Sequence, residues 1–197
     1  MRVGVEAFWV KLMYRVWIMI DGNEKQACLI GNIVTLKRLR EDFFEEYHAM
    51  FSPLVRERLG IPPTSELQQT IDFLKACMCD PQHLMFFCIF DNQTHKLIGS
   101  IVVRSADHPN GQLGSWVNEN FWGGGRYQEA LSLLLTYYFE STDEHIIFAF
   151  VAVDNVRSIK AHQKMGFMID QTTQQSHCYG PDKNSYKIIF TRELLGG

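Results

Sequence analysis

Three consecutive glycines, Gly123–Gly125, stand directly in front of a segment whose apolar residues recur at helical spacing. Glycine loses the most backbone freedom on folding, so three in a row cost stability that an ordinary helix entry does not require. From Arg126 to Glu140 the segment sets Tyr127, Ala130, Leu131, Leu134, Tyr137 and Tyr138 along one side. Leu133 and Leu135 widen that stripe until it is apolar nearly all round. Such a helix is expected to be substantially buried. Its first turn presents N–H groups without intrahelical acceptors and a partial positive charge. Glycines ahead of it let an anionic ligand reach the backbone with no side chain in the way. The plainer reading of the same glycines is a flexible connector.

The flanking pattern narrows the fold. Leu29–Leu39 alternates apolar and polar residues and reads as a first strand. Arg40–Phe51 follows as a helix, with Phe43, Phe44, Tyr47 and Phe51 at helical spacing and acids early, where the helix dipole favours them. Gly60–Pro63 punctuates the chain. Thr64 or Ser65 then caps a helix to about Met78, with Leu67, Ile71 and Leu74 on one face. His83–Phe90 and Leu97–Ala106 flank a short polar turn as a hairpin, and Gln112–Glu119 follows as a third antiparallel strand. Beyond the buried helix, His145–Val153 is a continuous apolar run of the kind found in strands covered on both faces. Asp154–Asn155 starts a helix to Met165 that Gly166 ends, and two strands, Phe167–Gln174 and Ser185–Leu194, complete the chain. The order β, α, α, β, β, β, α, β, α, β, β makes an α/β fold, a central mixed β-sheet flanked by helices, in one domain over residues 29–197.

Residues 1–28 form an N-terminal extension. Val5, Trp9, Leu12, Val16 and Ile20 fall at helical spacing, which implies an amphipathic helix or a segment that packs on the domain or on a second copy of the chain in a homodimer. Arg2, Glu6, Lys11 and Arg15 interrupt the stretch, so neither a membrane span nor a signal peptide is expected. A net charge of -3 weighs against nucleic acid as a partner. Five cysteines, without framework spacing, fit reduced thiols in a cytoplasmic protein. Cys77, Cys79 and His83 lack the second pair that a four-ligand metal site needs, so no metal is expected.

Two phosphate-binding folds fail on the residues. A P-loop requires Lys and Ser or Thr after its last glycine, and Arg126-Tyr127 stands there. A dinucleotide fingerprint belongs to an early βαβ unit, whereas these glycines follow an antiparallel meander. Trp122, Gly123, Gly125, Glu129 and Ala130 resemble the W-G-x-G-x-x-x-E-A acyl-CoA loop of GNAT-superfamily N-acetyltransferases, closest to the RimJ/RimL-type branch that acetylates ribosomal-protein N-termini. Upstream, Gly114-Ser115-Trp116-Val117 resembles the family's G-x-W strand. Downstream, Asn155–Phe167 resembles N-x-x-S-x-x-x-x-x-K-x-G-F. The resemblance covers about Leu29 to Leu195.

What the resemblance implies is a GNAT-like acyl-CoA-binding fold and an acetyl-CoA-dependent N-acetyltransferase. Its partner is an amine acceptor, either a small molecule or a protein N-terminus. Backbone groups near Trp116 and Val117 would hold the pantetheine and the thioester carbonyl. Amides from Trp122, Gly123, Gly124, Gly125, Arg126 and Tyr127 would hold the pyrophosphate, and Asn155 and Ser158 would contact the cofactor arm. Asn155 also reads as a plain helix cap. Relatives carry a small residue at Tyr127, so its ring is expected to turn into the stripe of Ala130 and Leu131. Relatives also place a general-acid tyrosine where this chain has His162, which makes His162 either the acid toward the leaving thiolate or an ordinary helix histidine. Glu119 is the candidate base or amine anchor, or else a surface carboxylate. A catalytically inactive acyl-CoA-binding or assembly protein with the same core stands as the alternative.

Overall fold

The computed structural model describes residues 8–11, 17–20, 28–79, 84–108, 111–175 and 184–195. Its elements are β1 (Phe8–Lys11), β2 (Trp17–Ile20), β3 (Cys28–Ile30), β4 (Val34–Arg38), α1 (Phe44–Ala49), α2 (Pro53–Leu59), α3 (Leu67–Met78), β5 (Met85–Asp91), β6 (Leu97–Val103) and β7 (Leu113–Val117). The chain continues through α4 (Arg126–Ser141), β8 (Ile146–Ala152), α5 (Val156–Lys164), β9 (Met168–Gln175) and β10 (Asn184–Thr191). Strands β1–β7 form one sheet in chain order, each neighbouring pair antiparallel. A second antiparallel sheet runs β8-β10-β9. A bridge between Gly111 and Ala149 joins the two sheets.

The central strands are buried on both faces, and their side-chain alternation shows why. Phe87 and Ile89 of β5 join the cluster under α4, while Phe86, Cys88 and Phe90 point the other way, into the cluster under α1 and α3. Helix α4 lies over the seam. Leu131, Leu134 and Leu135 are fully buried in a cluster that takes Leu29 and Val34 from the first sheet and Ile147 and Phe190 from the second. A helix apolar nearly all round is what a seam between two sheets requires. Each such leucine contributes about 1.5–3 kcal/mol by burial. Among the described residues, no helix is long and apolar enough to cross a membrane.

Four expectations change. Leu29–Leu39 is a hairpin rather than one strand, because three successive amides at its turn are taken by Glu129 of α4. Helix α2 was not legible as a separate element. Ser52 caps it, Pro53 starts it, and Gly60 ends it in the left-handed conformation at φ 68°. Helix α3 is capped by Glu66, in a reciprocal box with Gln69, and not by Thr64 or Ser65. In the N-terminal segment Trp9 and Ile20 lie in strands, with β2 paired to β3, so no helix forms at those positions. Val5, Leu12 and Val16 lie outside the described residues, as do His83 and Cys178.

Candidate functional site

A cavity of about 1000 Å³ opens between β7 and α5 and continues under α2 and α3. Of the expected site residues, Trp116, Val117, Trp122, Gly123, Tyr127, Asn155, Ser158 and His162 line it. Glu119 does not. Its carboxylate accepts a 2.7 Å hydrogen bond from Ser52 Oγ, and Ser52 is the cap of α2. Glu119 therefore anchors a helix start, and the structure does not bring it to the cleft as base or amine anchor.

The glycine loop is strained for any other residue. Gly123, Gly124 and Gly125 have φ of 88°, 59° and 78°, and a side chain at each would cost roughly 1–2 kcal/mol in that region. Gly125 has no side chain to cap α4, so the helix start carries no side-chain cap bond from that position. The Arg126 guanidinium folds back beside Gly124 and pairs with buried Asp91 at 2.6 Å. Desolvation opposes ionisation of Asp91, but hydrogen bonds from Arg126 and Thr94 outweigh it and hold its carboxyl below the usual carboxylate range. The Arg126 amide donates to the Gly123 carbonyl at 3.4 Å, and the residue does not line the cleft.

Glu129, the acid of the loop motif, is structural. Its two oxygens accept from the amides of Asn32, Ile33 and Val34 at 2.9, 2.6 and 2.7 Å, tying the glycine-loop helix to the β3–β4 turn. Trp122 Nε1 donates to the Val117 carbonyl at 2.7 Å, and the Arg157 guanidinium lies 4.0 Å over its ring, forming one rim of the cleft. Trp116 Nε1 donates to Tyr47 Oη at 3.0 Å, and that hydroxyl lies 3.0 Å from Ser100 Oγ in a buried chain behind β7.

Tyr127 does not stay in the stripe of Ala130 and Leu131. Its half-buried ring packs against that core, but its hydroxyl reaches across the cleft, 3.1 Å from Ser115 Oγ on β7 and 2.8 Å from His162 Nε2 on α5. The partners define the protons. His162 Nδ1 lies 2.8 Å from the Ser158 carbonyl, which only accepts, so Nδ1 carries the hydrogen. Burial drives the His162 pKa down to about 4, against the Ser158 carbonyl, which raises it. The neutral ring therefore presents Nε2 as an acceptor, and Tyr127 donates to it. His162, 4% exposed, has no proton to give the cleft near neutral pH.

Asn155 is a helix cap, its Oδ1 accepting from the Ser158 amide at 3.2 Å, and it lines the cleft as well. Five cleft cations were missed: Arg58, Arg104 and, on α5, Arg157, Lys160 and Lys164. For the three on α5, a spacing of three and four residues places them on one helix face, which was the signal available in the sequence. None of the described cysteines lines the cleft. Burial raises the pKa of Cys28, Cys77 and Cys88, so these thiols are poor nucleophiles.

Residues 34–168 match the family described as acetyltransferase (GNAT) domain. The chain belongs to the GNAT acetyltransferase family. Over 119 residues it is 28% identical to an uncharacterized N-acetyltransferase p20 of Bacillus licheniformis, a match covering 58% of this chain and 67% of that protein. Its fold resembles the RimL ribosomal L7/L12 alpha-N-protein acetyltransferase, with TM-score 0.73 at 16% identity over 88% of this chain and 99% of the other. It also resembles a spermidine N-acetyltransferase from Vibrio cholerae solved with CoA and spermine, with TM-score 0.68 at 16% identity over 85% and 100% of the two chains.

Proposed function

We propose that this GNAT protein transfers acetyl from acetyl-CoA directly to a primary amine. The observation that carries the reading is the continuous cleft. It joins Gly123 and Tyr127, which bracket the start of α4, to an apolar chamber, with no described thiol along its walls. In this reading the amides from Gly123 to Tyr127 receive the pyrophosphate, and Arg157, Lys160 and Lys164 neutralise the phosphates. Ser115–Val117 supplies the strand edge for the pantetheine, and Ser158 with Asn155 borders it. Direct transfer needs a neutral amine held on the thioester carbonyl and a proton for the leaving thiolate.

Tyr127 acts twice in this scheme. Its hydroxyl closes the gap between β7 and α5, so the Ser115 and His162 bonds must open when the acyl chain enters. Once they open, the phenol is the donor facing the thiolate, and the proton lost by the attacking amine restores it. His162 holds that phenol in the closed state and is not itself the acid. The test uses the full chain, acetyl-CoA and an amine panel. Calorimetric binding together with thiol release that depends on both amine and enzyme supports the proposal. Binding without release would favour the second reading, an acyl-CoA-binding protein without turnover, to which the closed Tyr127 bridge also points.

A further inference from the structure

Three polar groups in the wall of the apolar chamber hold one hydrogen more than they use. Trp116 Nε1, which only donates, bonds Tyr47 Oη at 3.0 Å, and Tyr47 Oη lies 3.0 Å from Ser100 Oγ. The indole and each hydroxyl bring one hydrogen, and the chain has a place for all but one of them. Whichever hydroxyl donates in the Tyr47–Ser100 bond, the other keeps a hydrogen with no acceptor among the described residues. Tyr47 and Ser100 are each 3% exposed, and both line the cleft. A buried donor left without an acceptor is costly, so this end of the cleft is built for an occupant that brings one.

The donor is neutral. Burial pushes the Tyr47 pKa well above the usual tyrosine range, against the Ser100 and Trp116 hydrogen bonds that lower it. The titratable neighbours that act on Tyr47 are the Cys77 and Cys88 thiols, and burial raises both, so neither is charged near neutral pH. Arg104 lines the same cleft, but its guanidinium donates to the Gly111 carbonyl at 3.5 Å. One neutral hydroxyl does not offset the desolvation of a carboxylate. It does match an ether, a carbonyl or a ring nitrogen, whose desolvation costs far less.

The surrounding wall is made of rings. Tyr47 meets Phe51 and Trp116 edge-on, at 5.3 Å between centroids in each case, and Phe86 at 6.0 Å. Phe51 lies 5.2 Å from Trp116, and all four rings line the cleft. Such a wall offers faces and edges to one more ring. We propose, resting on the acetyl-transfer reading above, that the acceptor is a small aromatic amine whose ring carries a neutral hydrogen-bond acceptor, selected by the Tyr47–Ser100 hydroxyl pair. The ring packs on Phe51, Phe86 and Trp116, the acceptor atom takes the spare hydrogen, and the amine is left for the thioester.

The experiment uses the full chain and phenethylamines bearing para-methoxy, para-ethyl or para-carboxylate groups, with an alanine-first hexapeptide amide beside them. Titration calorimetry on the CoA-saturated protein gives affinities, and thiol release from acetyl-CoA gives kcat/KM. The methoxy and ethyl compounds match closely in size and amine basicity and differ in one acceptor atom. The methoxy compound should exceed the ethyl one roughly fivefold or more in both readouts. The carboxylate and the peptide should fall below it by about tenfold or more. Tyr47→Phe and Ser100→Ala each still leave one hydroxyl with a spare hydrogen, so each should keep much of the methoxy preference. The double variant removes both hydroxyls and should bring the methoxy-to-ethyl ratio to about one. A role in packing alone would weaken all the amines together and leave that ratio unmoved. The ratio in the unaltered protein needs no variant, so the test stands even where the double variant does not fold. A ratio near one in the unaltered protein, the carboxylate or the peptide at the top, or an unchanged ratio in the double variant overturns the acceptor class alone. A methoxy preference in binding without any thiol release overturns the transfer reading and leaves the subsite standing. Neither binding nor release with any of these amines overturns both.

Discussion

Replacing Tyr127 by Phe removes one oxygen and keeps the ring, and the consequences for stability, binding and turnover differ in sign. The hydroxyl donates to His162 Nε2 at 2.8 Å and lies 3.1 Å from Ser115 Oγ, in a part-buried setting. Each bond is worth about 0.5–1.5 kcal/mol net, and loss of the phenol leaves the buried His162 nitrogen without its donor, so the folded protein should lose about 1–3 kcal/mol. For a chain of this size that lowers Tm by roughly 2–10 °C. If the acyl chain must part the same bonds, the variant no longer has to break them on binding. About 1–2 kcal/mol is then returned, and acetyl-CoA should bind roughly fivefold to thirtyfold more tightly. Turnover should fall at the same time, by about a hundredfold, because the thiolate loses its donor. Differential scanning calorimetry, titration calorimetry and steady-state thiol release measure the three quantities on one preparation. A folded variant whose acetyl-CoA affinity is unchanged or weaker refutes the bridge, and unchanged turnover with the best amine refutes the donor role.

Gly125→Glu sets a side chain at φ 78° and a like charge beside the phosphate site, and calorimetry should show acetyl-CoA affinity reduced tenfold or more, about 1.4 kcal/mol. Glu129→Ala frees the Asn32, Ile33 and Val34 amides and should cost about 2–4 kcal/mol in urea unfolding, with hydrogen exchange rising at those three amides first. For His162, the folded pKa of about 4 lies below the ordinary value of 6.5, so the unfolded chain binds the extra proton between them. Its stabilising contribution is complete above pH 6.5 and declines as the pH falls to about 4. The loss is roughly 3 kcal/mol, and it should be missing from the difference between unaltered protein and His162→Gln in unfolding curves across that window.

The glycine run, the stripe from Tyr127 to Tyr138 and the Asn155 cap are local signals, and they were legible because backbone strain, helical periodicity and capping act over a few residues. They sufficed for the family, the α4 boundary and a minority of the residues that line the cleft, among them Trp116, Tyr127 and Ser158. The departures at Tyr127 and His162 were visible singly. That they touch was not, since the 2.8 Å contact depends on how α4 and α5 pack against β7 and β8. Glu119 and Glu129 show the same limit. One was a catalytic candidate and the other the acid of the loop motif, yet one holds Ser52 and the other three amides of a turn some ninety-five residues earlier. A carboxylate's chemistry is set by the donors brought to it in space. The sequence by itself determined α4, α5 with its Asn155 cap, and the strands that flank them; only the packing of two sheets across one buried helix decided which polar groups met in the cleft and which were consumed in holding it together.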